Sequence, residues 1–487
     1  MHKAIIPLLY VLIFSVSNLF AGNGSKPHYN DKDINHIVSQ LTLEQKARLL
    51  VGCPGSDKGV SHIVAGSAGY TFPIDSLDIP SINLADGPVG VRITPVLPNK
   101  PYTSYCTCFP STTALAATWN KDIARLEGNA IGDEALAYGV DIVLTPGINI
   151  MRNPLCGRNF EYFSEDPYLS GIMGAAMING IQDKGIGASL KHFIANNQQT
   201  GKLYNDARIS QRAIREIYLK GFEICIKNSD PWTVMGSYNK IGGQYTQANP
   251  ELLRTILRNE WNYNGLIVTD WYKKRDTADQ LNGGTDLMMP GEQSQVDEII
   301  AGVKNGRISE TTLNKSVKYV LKLISKSISN KGWEYNEAPD LAANAALARR
   351  IATEGMVLLK NDRSFLPISQ GAKIALFGAT AYKSIAGGTG SSNVNKAHIT
   401  DISTGLEKGG YTLSNRLKGL YTKFVEFQND LLDKHPESTD WEKLSYNRTV
   451  IAEMDLSKAE SIIGQEAKNS DIALIVIGRG SGEESDR

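Results

Sequence analysis

The sequence predicts an α/β protein in which a (β/α)8-type barrel is followed by an incomplete α/β sandwich domain with a mostly parallel sheet. From residue 31 to residue 327 one unit recurs: a short apolar run, a loop rich in Gly, Pro, Asn or Asp, and an amphipathic helix. The runs show little polar alternation, which is typical of parallel strands buried on both faces. Such repeats over this length fit either a barrel or a doubly wound sheet.

The position of the polar residues separates these two folds. In nearly every unit, a residue capable of chemistry follows the apolar run directly: Asp86, Lys191 with His192, Tyr238, Asp270 and Asp286. A barrel gathers the carboxyl ends of its strands at one face, so these side chains would meet in one pocket. A doubly wound sheet normally carries a glycine-rich loop after its first strand, and no G-x-G-x-x-G stands there. The barrel is therefore favoured.

The predicted barrel strands are, in chain order, "SINLADG", "DIVLTPG", "IGASLKH", "WTVMGSYN", "GLIVTDW" and "TDLMMPG". Amphipathic helices are predicted between them. In the helix predicted over 209–228, a single stripe includes Ile214, Ile217, Phe222 and Cys225. The stretch "NPELLRTIL", which begins at Asn249, has an Asn cap followed by Pro and Glu in the first turn, and this pattern predicts a helix start.

A second set of α/β units follows the barrel. Residues 328–345 form a predicted polar linker, and residues 346–487 contain three apolar runs that predict buried strands: "EGMVLLKND", "KIALFGAT" and "DIALIVIGR". A parallel strand buried on both faces needs cover on both sides and a crossover helix after it. Only eight residues follow the last run. We therefore expect the second domain to be incomplete at its C-terminus.

The first 21 residues have the pattern of a signal peptide. Lys3 precedes the apolar run "AIIPLLYVLIF", and small and polar residues follow it up to Ala21. An uncleaved membrane anchor is the alternative, but the apolar run is short for a bilayer span and Pro7 interrupts it. The pattern predicts a secreted or periplasmic protein that is not inserted in a membrane after cleavage.

Composition excludes several classes of partner. Lys plus Arg and Asp plus Glu both total 51, so no net field attracts nucleic acid. The five cysteines show no C-x-x-C spacing, and no P-loop is present. We expect neither a metal nor another cofactor, and composition leaves the oligomeric state open.

The residues at the predicted barrel face suggest one type of reaction. They offer carboxylates, a Lys-His pair and Arg158, whereas a Ser/His/Asp arrangement and the G-x-S-x-G nucleophile elbow are absent. Two carboxylates can cleave a glycosidic bond, one acting as nucleophile or base and the other as proton donor. Cleavage of a glycosidic bond is therefore a reaction that this set of residues allows.

Six ordered motifs carry a family resemblance. They read "LADGPVGVR", "GRNFEYFSEDPYLSG", "SLKHFIANN", "VMGSYNKIGG", "GLIVTDWY" and "GTDLMMPG". In order and spacing the chain resembles the secreted β-glucosidases of glycoside hydrolase family 3, over essentially its whole length after the signal. The resemblance implies that Asp270, in "VTDW", is the nucleophile that forms a covalent glycosyl-enzyme. It also implies that Asp86, Arg158, Lys191 and His192 bind sugar hydroxyls, and that the Lys191–His192 peptide is strained or cis.

The resemblance implies further contacts around the nucleophile. Tyr238 would donate a hydrogen bond to the nucleophile's carboxylate, and Met235 and Trp271 would form an apolar wall; for these two, a plain core role is the open alternative. Relatives usually have Arg where this chain has Lys202, in "QQTGK". Because lysine cannot make the planar two-pronged contact of arginine, the role of this position is open.

The implied proton donor comes from the second domain, in a motif of the form S-G-E-x-x-D-R. Here "SGEESDR" places Glu483 at the matching position, with Glu484 as its rival, because adjacent side chains on an extended loop point in opposite directions. Ser391, in "GGTGSS", matches a loop that closes over the same sugar; a flexible turn is its alternative. Glu161, Glu165 and Asp166 are interpreted as loop and helix-start residues.

These assignments predict a retaining, exo-acting enzyme that releases terminal β-D-glucosyl residues from β-glucosides or oligosaccharides. A β-xylosidase or broad β-glycosidase of the same family is the nearest alternative, although Asp86 favours a hexose. A chain that binds sugar without catalysis is the alternative of another class.

Overall fold

The structure, a computed structural model, describes residues 28–55, 64–93, 103–271, 275–433, 453–457, 459–480, 482–483 and 486–487. The expected signal peptide and Glu484 lie outside the described residues. The strands are β1 Cys53–Pro54, β2 Gly69–Tyr70, β3 Asn83–Asp86, β4 Ile142–Leu144, β5 Gly187–Phe193, β6 Asp206–Ala207, β7 Thr233–Gly236, β8 Lys240–Ile241, β9 Gln244–Tyr245, β10 Leu266–Val268, β11 Lys373–Phe377, β12 Thr412–Leu413 and β13 Ile472–Ile475.

The first domain is built on a curled seven-stranded sheet in the order β1-β2-β3-β4-β5-β7-β10. Within this sheet the neighbouring strands β3, β4, β5, β7 and β10 are parallel, as predicted, whereas β2 runs antiparallel to both of its neighbours. Single parallel bridges join Val268 to Leu287 and Val51 to Met288. The predicted strand "TDLMMPG" is thus reduced to two bridges, which link the last strand of the sheet back to the chain before β1. The predicted α/β class is confirmed.

The helices are α1 Ile34–Gln40, α2 Leu43–Leu49, α3 Thr112–Ala117, α4 Lys121–Tyr138, α5 Pro167–Asp183, α6 Gln211–Ala213, α7 Lys220–Ser229, α8 Thr277–Gly283, α9 Gln293–Lys304, α10 Glu310–Lys326, α11 Leu341–Glu354, α12 Ala379–Tyr382, α13 Ile402–Lys408, α14 Asn415–Asp433 and α15 Glu460–Lys468. Two π-helical segments are Ile214–Tyr218 and Glu251–Glu260. In the described residues no helix has both the length and the apolar character that a bilayer span requires.

Local capping explains where several helices begin. Asp166 accepts a hydrogen bond from the Tyr168 amide at 2.8 Å and Pro167 opens α5, so the helix-start interpretation of Asp166 is confirmed. Asn249 likewise accepts from the Leu252 amide at 3.2 Å. The helix predicted over 209–228 is interrupted by a π turn, which rotates the apolar stripe and leaves Ile217 40% exposed.

Both faces of the parallel strands are buried. Neighbouring residues of one strand lie in different apolar clusters: Leu84 and Ile142 belong to one, Ala85 and Val143 to the other. This arrangement agrees with the weak polar alternation of the runs.

The second domain has a three-stranded parallel sheet in the order β12-β11-β13. The strand predicted in "EGMVLLKND" is wrong, because residues 356–361 are outside any strand and Leu359 is 92% exposed. Burial of the last strand on both faces is also wrong, since Ile475 is 69% exposed.

Asp286 does not join the pocket predicted from the strand ends. Its carboxylate accepts hydrogen bonds from the Ile267 amide at 2.9 Å and the Ser316 hydroxyl at 3.0 Å, and it lies 2.6 Å from Nη2 of Arg258. Arg258 and Ser316 lie on the helices outside the sheet. The prediction for this residue was wrong because alternate residues of an extended segment face opposite sides of a sheet.

We expect Asp286→Ala to lower the free energy of unfolding by about 3–5 kcal/mol, because it leaves the buried Arg258 guanidinium without its carboxylate. Asp279→Ala is the matched control. Its carboxylate is 68% exposed and lies 3.6 Å from Arg307, so its effect should stay within about 0.5 kcal/mol. Urea unfolding followed by circular dichroism measures both. Similar losses in the two variants would contradict a structural role for the buried pair.

Candidate active site

The other strand-end residues do converge. Asp86 ends β3, Lys191 and His192 lie in β5, and Asp270 follows β10 by two residues. The His192 Nε2 and Asp270 Oδ2 atoms are 3.8 Å apart, and the charge of Lys191 acts on both Asp86 and Asp270. All of these side chains are largely removed from solvent. The barrel face thus collects them as the sequence predicts.

Asp270 has one oxygen engaged and one available. Its Oδ1 accepts from the backbone amide of Trp271 at 2.8 Å, whereas Oδ2 has no hydrogen-bond partner in the described part of the chain. Burial raises the pKa of Asp270 to about 6, and the positive charges of Arg158, Lys202 and Lys191 limit the rise. An unengaged carboxylate oxygen in a buried site suits a nucleophile.

Tyr238 lies beside Asp270, and its hydroxyl also reaches the backbone of the next residue. Its hydroxyl donates to the carbonyl oxygen of Trp271 at 2.9 Å. Burial, and then the Asp270 carboxylate nearby, raise the pKa of this phenol well above its ordinary value. The expected bond from Tyr238 to the nucleophile's carboxylate stays a prediction, and the bond to the neighbouring backbone is an additional contact.

His192 is held as a neutral imidazole. Burial and the charges of Arg158, Lys191 and Lys202 lower its pKa well below the ordinary value. The Asn149 side chain bonds the His192 amide and carbonyl, each at 2.9 Å, and the ring Nδ1 is 3.2 Å from the Tyr162 hydroxyl. The Lys191–His192 peptide is cis, which confirms the expected backbone geometry, and Phe193–Ile194 is cis as well.

Arg158 lies between two carboxylates from different domains. It is 2% exposed, donates to the Glu161 carboxylate and lies 3.3 Å from Oε1 of Glu483. Glu161 in turn accepts from the Ser392 hydroxyl at 3.1 Å. Glu161 thus supports Arg158, which agrees with its interpretation as a structural residue and gives it a specific contact that the sequence did not reveal.

Glu483 enters the same site from the second domain. Its carboxylate accepts a hydrogen bond from the Ser391 hydroxyl, and the Ser391 amide is 3.3 Å away. Burial by itself would raise the pKa of Glu483, but Arg158, Lys202 and the Ser391 bond outweigh it and lower the pKa to about 2. Glu483 is therefore an ion-paired carboxylate in this structure.

The remaining predicted residues surround this group. Lys202 is 4% exposed, and its Nζ lies 4.7 Å from the centre of the Tyr238 ring, a cation–π contact. Asp86 is paired with Arg92 at 3.1 Å, a partner present in the motif "LADGPVGVR" but not singled out from sequence. Burial raises the pKa of Asp86 against the opposing charges of Arg92 and Lys191.

Met235 and Trp271 belong to an apolar core cluster. Met235 is 1% exposed, and the Trp271 indole donates to the carbonyl of Ala68 at 2.9 Å. Their packing fits the core alternative. Within the described residues, no group of three His, Cys, Asp or Glu side chains could hold a metal.

Models of one family match both domains. The glycosyl hydrolase family 3 N-terminal domain matches residues 101–323, and the family 3 C-terminal domain matches residues 356–487. Thermostable β-glucosidase B of Acetivibrio thermocellus is 40% identical over 410 residues, which are 82% of this chain and 51% of that protein. An exo-α-(1→6)-L-arabinopyranosidase of Bifidobacterium longum is 37% identical over 77% of this chain and 49% of its own length. The chain spans about half the length of the curated relatives it matches.

Solved structures agree with this relationship. β-Glucosidase 3B of Thermotoga neapolitana, solved in complex with α-D-glucose, superposes with a TM-score of 0.86 and is 41% identical, covering 93% of this chain and 64% of that one. A β-glucosidase of Bifidobacterium adolescentis superposes with a TM-score of 0.74 at 34% identity, over 92% of this chain and 59% of its own. The chain belongs to glycoside hydrolase family 3.

Proposed function

We propose that this protein is a β-glucosidase that releases terminal β-D-glucosyl residues with retention of configuration. The observation that carries the proposal is the meeting of Asp270 from the barrel and Glu483 from the second domain in one buried site lined by Arg158, Lys191 and Lys202. Relatives named β-glucosidases at about 40% identity support it.

In the proposed reaction Asp270 attacks the anomeric carbon and forms a covalent glycosyl-enzyme, while Glu483 donates a proton to the departing oxygen. Glu483 then takes a proton from the water that releases the sugar. The unengaged Oδ2 of Asp270 supports its role as nucleophile. Glu483, rather than the undescribed Glu484, is supported by its contacts with Arg158 and Ser391.

The sugar is proposed to lie against Asp86, Arg158, Lys191 and His192, which offer one carboxylate and several donors to hydroxyl groups. The bound glucose of the Thermotoga enzyme supports a glucose-like unit. The arabinopyranosidase relative makes aryl α-L-arabinopyranosides a necessary comparison, together with aryl β-xylosides. From the N-terminal pattern we further propose export, which N-terminal sequencing of the exported protein would test.

The chain itself is expected to hydrolyse aryl β-D-glucosides faster than the arabinopyranoside and the xyloside. Asp270→Asn should lower kcat/KM by about 10⁴-fold or more, because an amide cannot replace the carboxylate that forms the intermediate. Asp279→Asn, a change at an exposed carboxylate, should leave it unaltered. A wild-type chain without activity, or an Asp270→Asn variant with normal turnover, would contradict the proposal and favour a sugar-binding role.

Glu483→Gln should affect substrates according to their leaving group. With a poorly leaving aryl group the loss of proton donation should cost about 10²- to 10⁴-fold in the rate of glycosyl-enzyme formation. A dinitrophenyl glucoside needs no protonation and should lose less than about 10-fold, measured as kcat/KM. Equal losses on both substrates would rule out Glu483 as the acid.

The pH dependence follows from the two carboxyl groups together. The reactive form needs one proton on the pair, with Asp270 ionised and Glu483 protonated. Because the pKa of Asp270 is about 6 and that of Glu483 about 2, the free enzyme carries one proton on the pair between these values, mostly on Asp270. We propose that sugar hydroxyls, by engaging Arg158 and Lys191, loosen the ion pair of Glu483 and let the proton move to it.

We therefore expect kcat/KM to be level below about pH 6 and to fall about tenfold per pH unit above it, because the pair then loses its proton. Rates with an aryl β-glucoside between about pH 4 and 9 provide the measurement. In Glu483→Gln, assayed with a dinitrophenyl glucoside, the fall should disappear, since only ionised Asp270 is then required. A wild-type rate that climbs through pH 6 to a plateau would contradict this account.

A further inference from the structure

Asp486, three residues after Glu483, binds the loop that carries Glu483 to the barrel. Its Oδ1 accepts from the backbone amides of Gln199 at 2.8 Å and Gly157 at 3.2 Å, and its Oδ2 accepts from the amide of Thr200 at 3.0 Å. These three donors come from two barrel loops, one after β4 and one after β5. We call this set of three amides the Asp486 socket.

One backbone hydrogen bond to the barrel precedes Glu483 in the chain, and another follows it. The Gly482 amide donates to the carbonyl of Gly157 at 2.8 Å, and the Arg487 amide donates to the carbonyl of Leu155 at 2.8 Å. A Cβ at Gly482 would lie 1.6 Å from the Thr389 hydroxyl oxygen, so only glycine lets the chain pass at this point. Glu483 is thus held within a short segment bound to the barrel before and after it.

We propose that Asp486 is a positioning residue, whose carboxylate in its socket sets the location of Glu483 at the active site. The inference rests on the proposed function, in which Glu483 is the proton donor. Burial would raise the pKa of Asp486, but the three amide bonds outweigh it and lower the pKa, so the carboxylate stays ionised through the pH range of activity.

The atoms of the socket explain why a carboxylate is required. Both oxygens accept backbone N–H groups, one of them twice, and a hydrogen bond with the Thr200 side chain further lowers the pKa of the carboxylate. An asparagine offers a single acceptor oxygen, so its NH2 group would face at least one backbone N–H group. Both of these groups are donors, and they cannot form a hydrogen bond with each other. Asp486→Asn therefore keeps the shape of the side chain and removes both the charge and part of the bonding.

The test compares the wild type, Asp486→Asn and a control, Asp455→Asn. Asp455 is also in the second domain and accepts a backbone amide, that of Ser457 at 2.9 Å, but within its own loop. We expect Asp486→Asn to lower kcat/KM for a poorly leaving aryl glucoside by about 10- to 100-fold, as a misplaced group does, and that for a dinitrophenyl glucoside by less than about 3-fold. The control should match the wild type on both.

A double-mutant cycle separates positioning from general damage. If Asp486 acts through Glu483, then adding Asp486→Asn to Glu483→Gln should cause no further loss. The backbone amides around residues 157, 199 and 200 should exchange hydrogen faster in Asp486→Asn than in the wild type, whereas Asp455→Asn should not change this exchange. This measurement does not depend on catalysis.

Equal losses on both substrates, additive effects in the cycle, or unchanged exchange would each overturn the inference. If the wild type proves inactive, the proposed function fails, and the hydrogen-exchange measurement alone decides whether Asp486 is bound in its socket. If Asp486→Asn lowers the thermal stability, it is compared with Asp486→Glu, which restores the negative charge. If Asp486→Glu regains the slow hydrogen exchange of the wild type but not its relative rates on the two substrates, then Asp486 acts by positioning Glu483 and not only by stabilising the fold.

Discussion

One buried guanidinium, that of Arg158, joins the two domains at the site. A charge with 2% exposure is costly unless it is paired, and its partners are Glu161 in the same loop and Glu483 in the second domain. The Glu161 contact is local, so it forms with the barrel loop. The Glu483 contact then requires the second domain to bring its loop to one place, and it draws Glu483 into the field of Lys191 and Lys202.

Two similar carboxyl groups acquire opposite properties in this field. Asp270 accepts one backbone hydrogen bond, and among the described residues its other oxygen has no hydrogen-bond partner, so burial dominates and its pKa is raised. Glu483 accepts from Ser391 and faces Arg158, so these donors dominate and its pKa is lowered. The difference comes from the number of donors that each group meets, and the proposed reaction needs the reverse distribution. Binding of a sugar that competes for the same donors supplies a physical reason for the reversal.

Strand ends made much of the site predictable from sequence. Asp86, Lys191 and Asp270 follow buried runs, and a barrel brings such positions together whatever the loops contain. The same rule misplaced Asp286, because position along a strand does not specify which side of the sheet a carboxylate faces. Nor could it specify that Tyr238 bonds the Trp271 carbonyl, since that choice depends on the path of the backbone after β10.

The acid loop shows a different limit. Its charges resemble those of a solvated tail, and the groups that bind them lie 287 and 329 residues away in sequence, beyond any local pattern. Only the family motif could identify Glu483; the same motif contains Asp486, but the sequence did not identify the three amides that bind it. The socket consists of backbone amides, which every residue except proline supplies. The side chains of the "QQTGK" loop can therefore change while the amides of Gln199 and Thr200 still face Asp486. Because Asp486 is bound through backbone amides, this contact can survive side-chain substitutions that make the loop look divergent in sequence.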